Sequence, residues 1–169
     1  MSTRAVIFVG HGGVPSDFPR ADLTRLKMLE GKRHASGGPP SDEERALDTK
    51  IRTHPRTPQT DPYQAGFERV AAALAAKLPQ ATLFVAYNEF CAPTLEQAAE
   101  QAIGGGALHI TVIPSMLTPG GVHSEVEVPE AIAALKPRFP NVTFEYIWPF
   151  DLDLVANMLA AQIMRTQTA

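Results

Sequence analysis

Cysteine is nearly missing from this chain: Cys91 is the sole one among 169 residues. That rules out an internal disulfide and fits a reducing compartment. Long apolar runs are missing too, since none approaches the roughly 20 residues that span a bilayer. The N-terminal apolar stretch is only residues 5–9 and runs straight into glycine, so no signal peptide is expected. Neither sign of charge dominates: 15 Lys and Arg oppose 18 Asp and Glu, a net charge of −3. Such a balance gives no general case for nucleic-acid binding. Local signatures of familiar chemistry are likewise absent. There is no P-loop, GxGxxG fingerprint, HExxH, paired CxxC or GxSxG elbow. What is present is ordinary for a globular protein, 44% hydrophobic and 20% charged. The expectation is one cytoplasmic domain with a proper core.

The chain is organised around Arg4-Ala-Val-Ile-Phe-Val-Gly-His-Gly-Gly13. A short unbroken apolar run stopped by glycine reads as a strand buried on both faces, the kind found in parallel sheets. The first residues beyond such a strand lie at its carboxyl end, where open α/β sheets bind their ligands. His11 sits there. From this segment alone, a loop hydrogen bond and a chemical role are both open to it.

From residue 15 to about 60 the chain turns polar, with prolines at 15, 19, 39, 40, 55 and 58. Nine of the 15 Lys and Arg fall here against seven acids, so the segment is net +2 and the remainder −5. Short helices are expected at 22–29 and 42–51, the second with Ser41 as N-cap and Glu44 three residues on. A structureless connection of this length is uncommon inside a domain. It reads as an active-site lid in preference to a disordered insertion.

Regular periodicity resumes at Asp61-Pro62, an N-cap followed by proline at the first helical position. Phe67, Val70, Ala71, Leu74 and Leu78 then mark a core-facing stripe. Strands follow at 81–87, 108–113 and 142–148, and helices at 94–103, 129–138 and 152–164. For the third of these four helices, Ser124-x-x-Glu127 spells a competing start, but Pro129 would then fall inside the helix. A start at Pro129 is therefore preferred. The alternation predicts a three-layer α/β/α fold of flavodoxin-like type. Its sheet would have four parallel strands in the order 2-1-3-4, with an insertion of about 45 residues after the first strand.

Under that topology three loops meet at one sheet edge, bringing together His11, Asn88-Glu89 and His123. Two imidazoles and a carboxylate suit a borderline divalent ion such as Co²⁺, Fe²⁺, Ni²⁺ or Zn²⁺. The same groups accept protons near neutral pH. Cys91 reads as a small packed residue, His109 as a core or interface histidine, and His34 and His54 as solvated loop residues.

The residues at these loops resemble a known family. Val-Gly-His-Gly at 9–12 is similar to the opening motif of the class II tetrapyrrole chelatases of the CbiX/SirB type. Asn-Glu-Phe-Cys-Ala-Pro-Thr-Leu-Glu at 88–96 resembles their second motif, and Ile-Pro-Ser-Met-Leu-Thr-Pro-Gly-Gly-Val-His-Ser-Glu-Val-Glu-Val-Pro at 113–129 their third. The likeness covers residues 4–14 and about 61–165. Where the family commonly has Ser-Arg after its first His-Gly, this chain has Gly13-Val14 and then the insertion.

The resemblance implies a chelatase-like fold and ATP-independent insertion of cobalt, or else iron or nickel, into sirohydrochlorin. It implies His11, His123 and Glu89 as both metal-handling and catalytic residues, with the metal as substrate and no nucleotide. It also implies a short form, one half of a two-half chelatase, working as a homodimer with its cavity between subunits. Basic groups should line the rim of a cavity for a polycarboxylate, and Arg20, Arg25, Lys27, Lys32 and Arg33 are the candidates in the insertion. Two rival functions use the same histidines: a metal or tetrapyrrole carrier without turnover, and a metal-assisted hydrolase.

Overall fold

A computed structural model describes residues 3–167. Its strands are β1 (Arg4–Gly10), β2 (Thr82–Tyr87), β3 (His109–Pro114) and β4 (Thr143–Tyr146), all parallel in the order β2-β1-β3-β4. The helices are α1 (Arg20–Ser36), α2 (Asp42–Arg52), α3 (Pro62–Ala75), α4 (Leu95–Gly104), α5 (Val128–Leu135) and α6 (Leu152–Gln167), with a π turn at His123–Glu127. The expected fold class and strand order are therefore those observed. None of the described helices is long and apolar enough to cross a membrane.

The apolar run after Arg4 forms a strand because both of its faces are covered. Ala5, Ile7 and Val9 point into the main core with Ile110, Val112 and Ala86, beneath α4 and α5. Phe8 points the other way and stacks on Phe67 of α3 at 4.7 Å, beside buried Tyr87 and Cys91. Helix starts follow their spelling. The Asp61 side chain accepts the Gln64 amide hydrogen bond ahead of Pro62, Thr94 and Gln97 form a reciprocal capping box, and Ser41 accepts from the Glu44 amide.

Four expectations are corrected. First, α1 runs from Arg20 to Ser36 rather than 22–29, even though Leu26 is its single buried residue. Its Arg, Lys, Glu, Leu and Ala residues have high helix propensity, and ion pairs hold it to α2, so an apolar stripe is not what sustains it. Second, helical winding begins at His123, not Pro129. The Val128 amide reaches back to the His123 carbonyl, a five-residue π step that accommodates the proline just beyond it. Third, Val70 is 56% exposed, because Phe67 and Ala71 alone turn fully onto the sheet. Fourth, α6 forms, but no side chain along it through Thr166 is buried, so it does not serve as the covering helix that its pattern implied.

The segment between β1 and α3 is ordered, which sets aside the disordered-insertion alternative. Phe18, Leu26 and Ile51 make a small core of their own against Phe90. Two arginines then tie the α1–α2 hairpin to the loop after β2. Arg52 donates to the carbonyls of Cys91 at 3.0 Å and Asn88 at 3.2 Å. Arg56 donates to the carbonyls of Gly13 at 2.8 Å and Ile51 at 3.1 Å, and also to Phe90 O and the buried Asp61 carboxylate.

Candidate metal centre

Three strand ends build this site. The Asn88 amide donates to the Gly10 carbonyl at 2.9 Å and the Glu89 amide to the His11 carbonyl at 2.8 Å, so the loops after β1 and β2 are laced together by backbone. Gly12 makes the crossing possible: it has φ +95°, and a Cβ there would lie 1.9 Å from the Glu89 carbonyl oxygen. The His11 amide in turn donates to the Tyr63 hydroxyl at 2.8 Å, anchoring the loop to α3. His123 arrives from the third strand end, at the start of the π turn.

Donor atoms of His11, Glu89 and His123, all half-buried, lie within 4.8 Å of one another. The two imidazoles meet edge to face, with ring centres 4.7 Å apart and their Nε2 atoms 3.2 Å apart. Proton positions follow from the partners. His11 Nδ1 lies 2.8 Å from the Gly12 carbonyl, which can only accept, so His11 Nε2 presents its lone pair to the pocket. His123 closes the contact by donating through Nε2, which leaves its Nδ1 to accept from Asn88 Nδ2 at 2.8 Å. The other His123 tautomer is also provided for. Glu127 Oε2 lies 2.8 Å from the same Nδ1 and can accept its proton, which turns both Nε2 lone pairs toward one point. Each arrangement leaves one contact unsatisfied: the first sets the His123 Nδ1 lone pair against the Glu127 carboxylate, and the second sets two Nε2 lone pairs 3.2 Å apart, a point open to a cation.

Asn88 and Glu127 were not singled out for this role in the sequence. Asn88 Nδ2 donates to Glu127, and the carboxylate also faces His123. Burial pushes the Glu127 carboxyl up, but the hydrogen bonds from Asn88 and His123 outweigh it and hold its pKa below the ordinary value. A carboxylate behind a ligating imidazole fixes its tautomer and raises its basicity. The available signal was the four-residue spacing of His123 and Glu127, which stacks them on one helical face.

A cavity of about 650 Å³ opens beside this site between α1, α2 and the loop after β2, and Asn88, Glu89 and Glu127 form part of its wall. The same cavity is lined by Lys27, Arg33, Arg45 and Arg52 and by six carboxylates, so its lining is net negative. All four cations are engaged: Lys27 with Glu30, Arg33 with Glu44, Arg45 with Asp42 and Arg52 with Asp48. Of the five basic residues proposed for the rim, Lys27 and Arg33 reach the cavity, whereas Arg25 pairs with Glu43 at 2.6 Å outside it. Arg20 and Lys32 are exposed and do not line it.

The other residues singled out by the sequence fall elsewhere. Cys91 is buried, and burial pushes its thiol up to about 11, as a packed residue requires. His34 is not in a loop; it sits on α1 and lines the cavity. His54 is half-buried against the Phe18 ring, with Nε2 3.1 Å from Asp17. His109 is exposed on β3 and belongs to no core.

Comparison with known proteins gives a consistent picture. The CbiX family model matches residues 59–166, a span that contains Glu89 and His123 and begins after His11. The sirohydrochlorin cobaltochelatase of Priestia megaterium is 40% identical over 81 residues, which is 48% of this chain and 25% of that protein. The sirohydrochlorin ferrochelatase of the same organism is 32% identical over 83 residues, 48% of this chain and 31% of that one. The matched region thus spans a quarter to a third of these curated relatives. A solved CbiX protein from Marinobacter aquaeolei VT8 shares the fold, with a TM-score of 0.57 at 18% identity over 98% of this chain and 99% of that one.

Proposed function

This chain belongs to the CbiX family, and from that premise we propose that it inserts a divalent metal ion into sirohydrochlorin or a related tetrapyrrole, without ATP. Cobalt is the first choice of ion, with iron or nickel as alternatives, in biosynthesis of the cobalamin or siroheme type. The observation that carries the reading is the convergence of His11, Glu89 and His123 from three strand ends to within 4.8 Å.

Insertion needs an ion held loosely enough to be handed over. Two imidazoles and one carboxylate leave coordination positions open, so pyrrole nitrogens can replace protein ligands one at a time. In this reading His11 and His123 hold the ion through Nε2, with Glu127 taking the His123 Nδ1 hydrogen bond. Two pyrrole N–H protons leave as the metal enters. Glu89 accepts protons or completes the coordination sphere, and its position beside the cavity suits either role.

The chain would act as one chelatase half, with residues 15–60 forming a fixed wall of the cavity rather than a mobile flap. The net negative lining favours a cation and offers no free positive charge for a polycarboxylate macrocycle. The rim that meets those carboxylates would then come from a second copy, which agrees with a homodimer. A carrier that binds metal or tetrapyrrole without turnover is the alternative reading, since the same pocket would serve it.

The test is anaerobic incubation with sirohydrochlorin and Co²⁺, Fe²⁺ or Ni²⁺, following the absorption change against the metal-only background. Acceleration is expected, with most of it lost in His11→Ala and His123→Ala. Stoichiometric binding without spectral conversion would indicate the carrier. Full acceleration in both alanine variants would sink the assignment of the site.

A further inference from the structure

We infer that Arg52, at the end of α2, is a positioning residue for the metal centre. It clamps the turn that carries Glu89 and so holds that carboxylate beside the two histidines. The inference rests on the reading of His11, Glu89 and His123 as metal ligands. The span that matches the family model begins at residue 59, beyond Arg52.

The turn is tight and strained. The Cys91 amide donates to the Glu89 carbonyl at 2.6 Å, which closes a three-residue loop centred on Phe90. Phe90 has φ +55°, close to the about +75° of the classic γ-turn, a rare and strained form. A bulky residue with positive φ persists only where its surroundings over-determine it. Left alone, the turn would relax by rotating about the Phe90 N–Cα bond, and Glu89 would swing relative to Cys91.

The restraint comes from residues 15–60. All four carbonyls from Asn88 to Cys91 are engaged, and arginines of this segment take three of them. Arg52 Nη2 donates to Asn88 O at 3.2 Å and Arg52 Nη1 to Cys91 O at 3.0 Å, while Arg56 donates to Phe90 O between them. The Phe90 ring is buried with Phe18, Leu26 and Ile51, and Lys27 Nζ lies 4.3 Å from its centre.

Of the two arginines, Arg52 is the one that governs Glu89. Its hydrogen bonds reach the first and last carbonyls of the turn, so one rigid guanidinium plane sets the distance between the two ends. That plane is itself fixed. Its Nε donates to both Asp48 oxygens, at 2.8 and 3.0 Å, and the side chain is only 18% exposed. Ahead of the clamped turn, the Glu89 amide is tied to the His11 carbonyl at 2.8 Å. The backbone of Glu89 is therefore held on one side by a ligand loop and on the other by Arg52. Arg56 spreads its remaining bonds over Gly13, Ile51 and Asp61, and serves the fold more broadly.

The sign of one measurement separates positioning from charge. Arg52 and Glu89 line the same cavity, so by charge alone, removing this cation would tighten binding of a dication. Loss of positioning weakens it. Calorimetric titration of the full chain with Co²⁺ should show affinity falling about 10-fold in Arg52→Met. Arg52→Lys should fall similarly, because it keeps the charge and loses the fork, and it carries the test if the methionine variant does not fold. In a Glu89→Ala background the Arg52 substitutions should add nothing further. Tighter or unchanged binding, rescue by lysine, or losses that add to that of Glu89→Ala would each overturn the inference. Hydrogen exchange of the metal-free protein gives a second readout. The Glu89 and Cys91 amides should exchange faster in both Arg52 variants, with the amides of β1 unchanged. Unchanged exchange at Glu89 and Cys91 overturns the clamp alone, whereas Co²⁺ binding unaffected by His11→Ala overturns the pocket reading and the clamp's role together.

Discussion

The substitution Gly12→Ala puts the crossing of the first two loops to a quantitative test. Gly12 has φ +95°, and the added methyl would lie 1.9 Å from the Glu89 carbonyl oxygen and 2.9 Å from its carbon. The clash cannot be relieved by turning a side chain, because the obstacle is backbone. That carbonyl also accepts the Cys91 amide at 2.6 Å, and the Glu89 amide is held by His11. The left-handed conformation costs an alanine about 1–2 kcal/mol, and forced repacking about 1–3 kcal/mol more. The expected loss is about 2–5 kcal/mol, a large share of the roughly 5–15 kcal/mol that holds a domain together. At about 2–4 °C per kcal/mol for a chain of this size, Tm should fall by about 4–20 °C. Gly31→Ala is the internal control. Gly31 lies within α1, and an added methyl meets nothing within 4 Å. It should stabilise by about 0.5–1 kcal/mol. Thermal unfolding by circular dichroism reads both, and calorimetric titration with Co²⁺ reads the site. If the loops part instead of unfolding, Glu89 leaves the histidines and Co²⁺ affinity drops in place of Tm. An unchanged Tm together with unchanged Co²⁺ affinity in Gly12→Ala would refute the reasoning.

Further outcomes follow from the same geometry. Glu127→Gln should weaken Co²⁺ binding about 10–100-fold by replacing the charged acceptor for His123 Nδ1 with a neutral amide, measured by titration at neutral pH. In the metal-free protein the Glu127 pKa is depressed below 4.5, so its contribution to stability is present above about pH 4.5 and lost as pH falls through the lower folded value. The stability gap between native and Glu127→Gln proteins should therefore close on acidification, as followed by urea melts at several pH values. Arg56→Ala should cost about 3–5 kcal/mol, because it strands the buried Asp61 carboxylate and frees three carbonyls. Denaturant midpoints for Arg56→Ala, Asp61→Asn and the pair should show strong non-additivity.

Local signals held where local energetics decide. Asp61-Pro62 and Ser41-Glu44 announced helix starts because a side chain three residues away satisfies an otherwise unpaired amide. They failed where a neighbour outbid the local pattern. The start at Pro129 looked preferable because a proline inside an α-helix loses a hydrogen bond, yet a π step just before it removes the conflict. The long polar α1 was underestimated because its hold on α2 runs through pairs such as Arg25–Glu43 and Lys50–Asp22, which periodicity does not record.

By itself the sequence determined the parallel sheet and the placing of His11, Glu89 and His123 at three strand ends. Period and glycine punctuation are properties of the chain alone, and right-handed crossovers leave few ways to assemble them. Only the tertiary structure decided how those side chains meet. The 3.2 Å approach of the imidazoles and the Asn88–Glu127 bridge behind them depend on contacts between residues far apart in the chain.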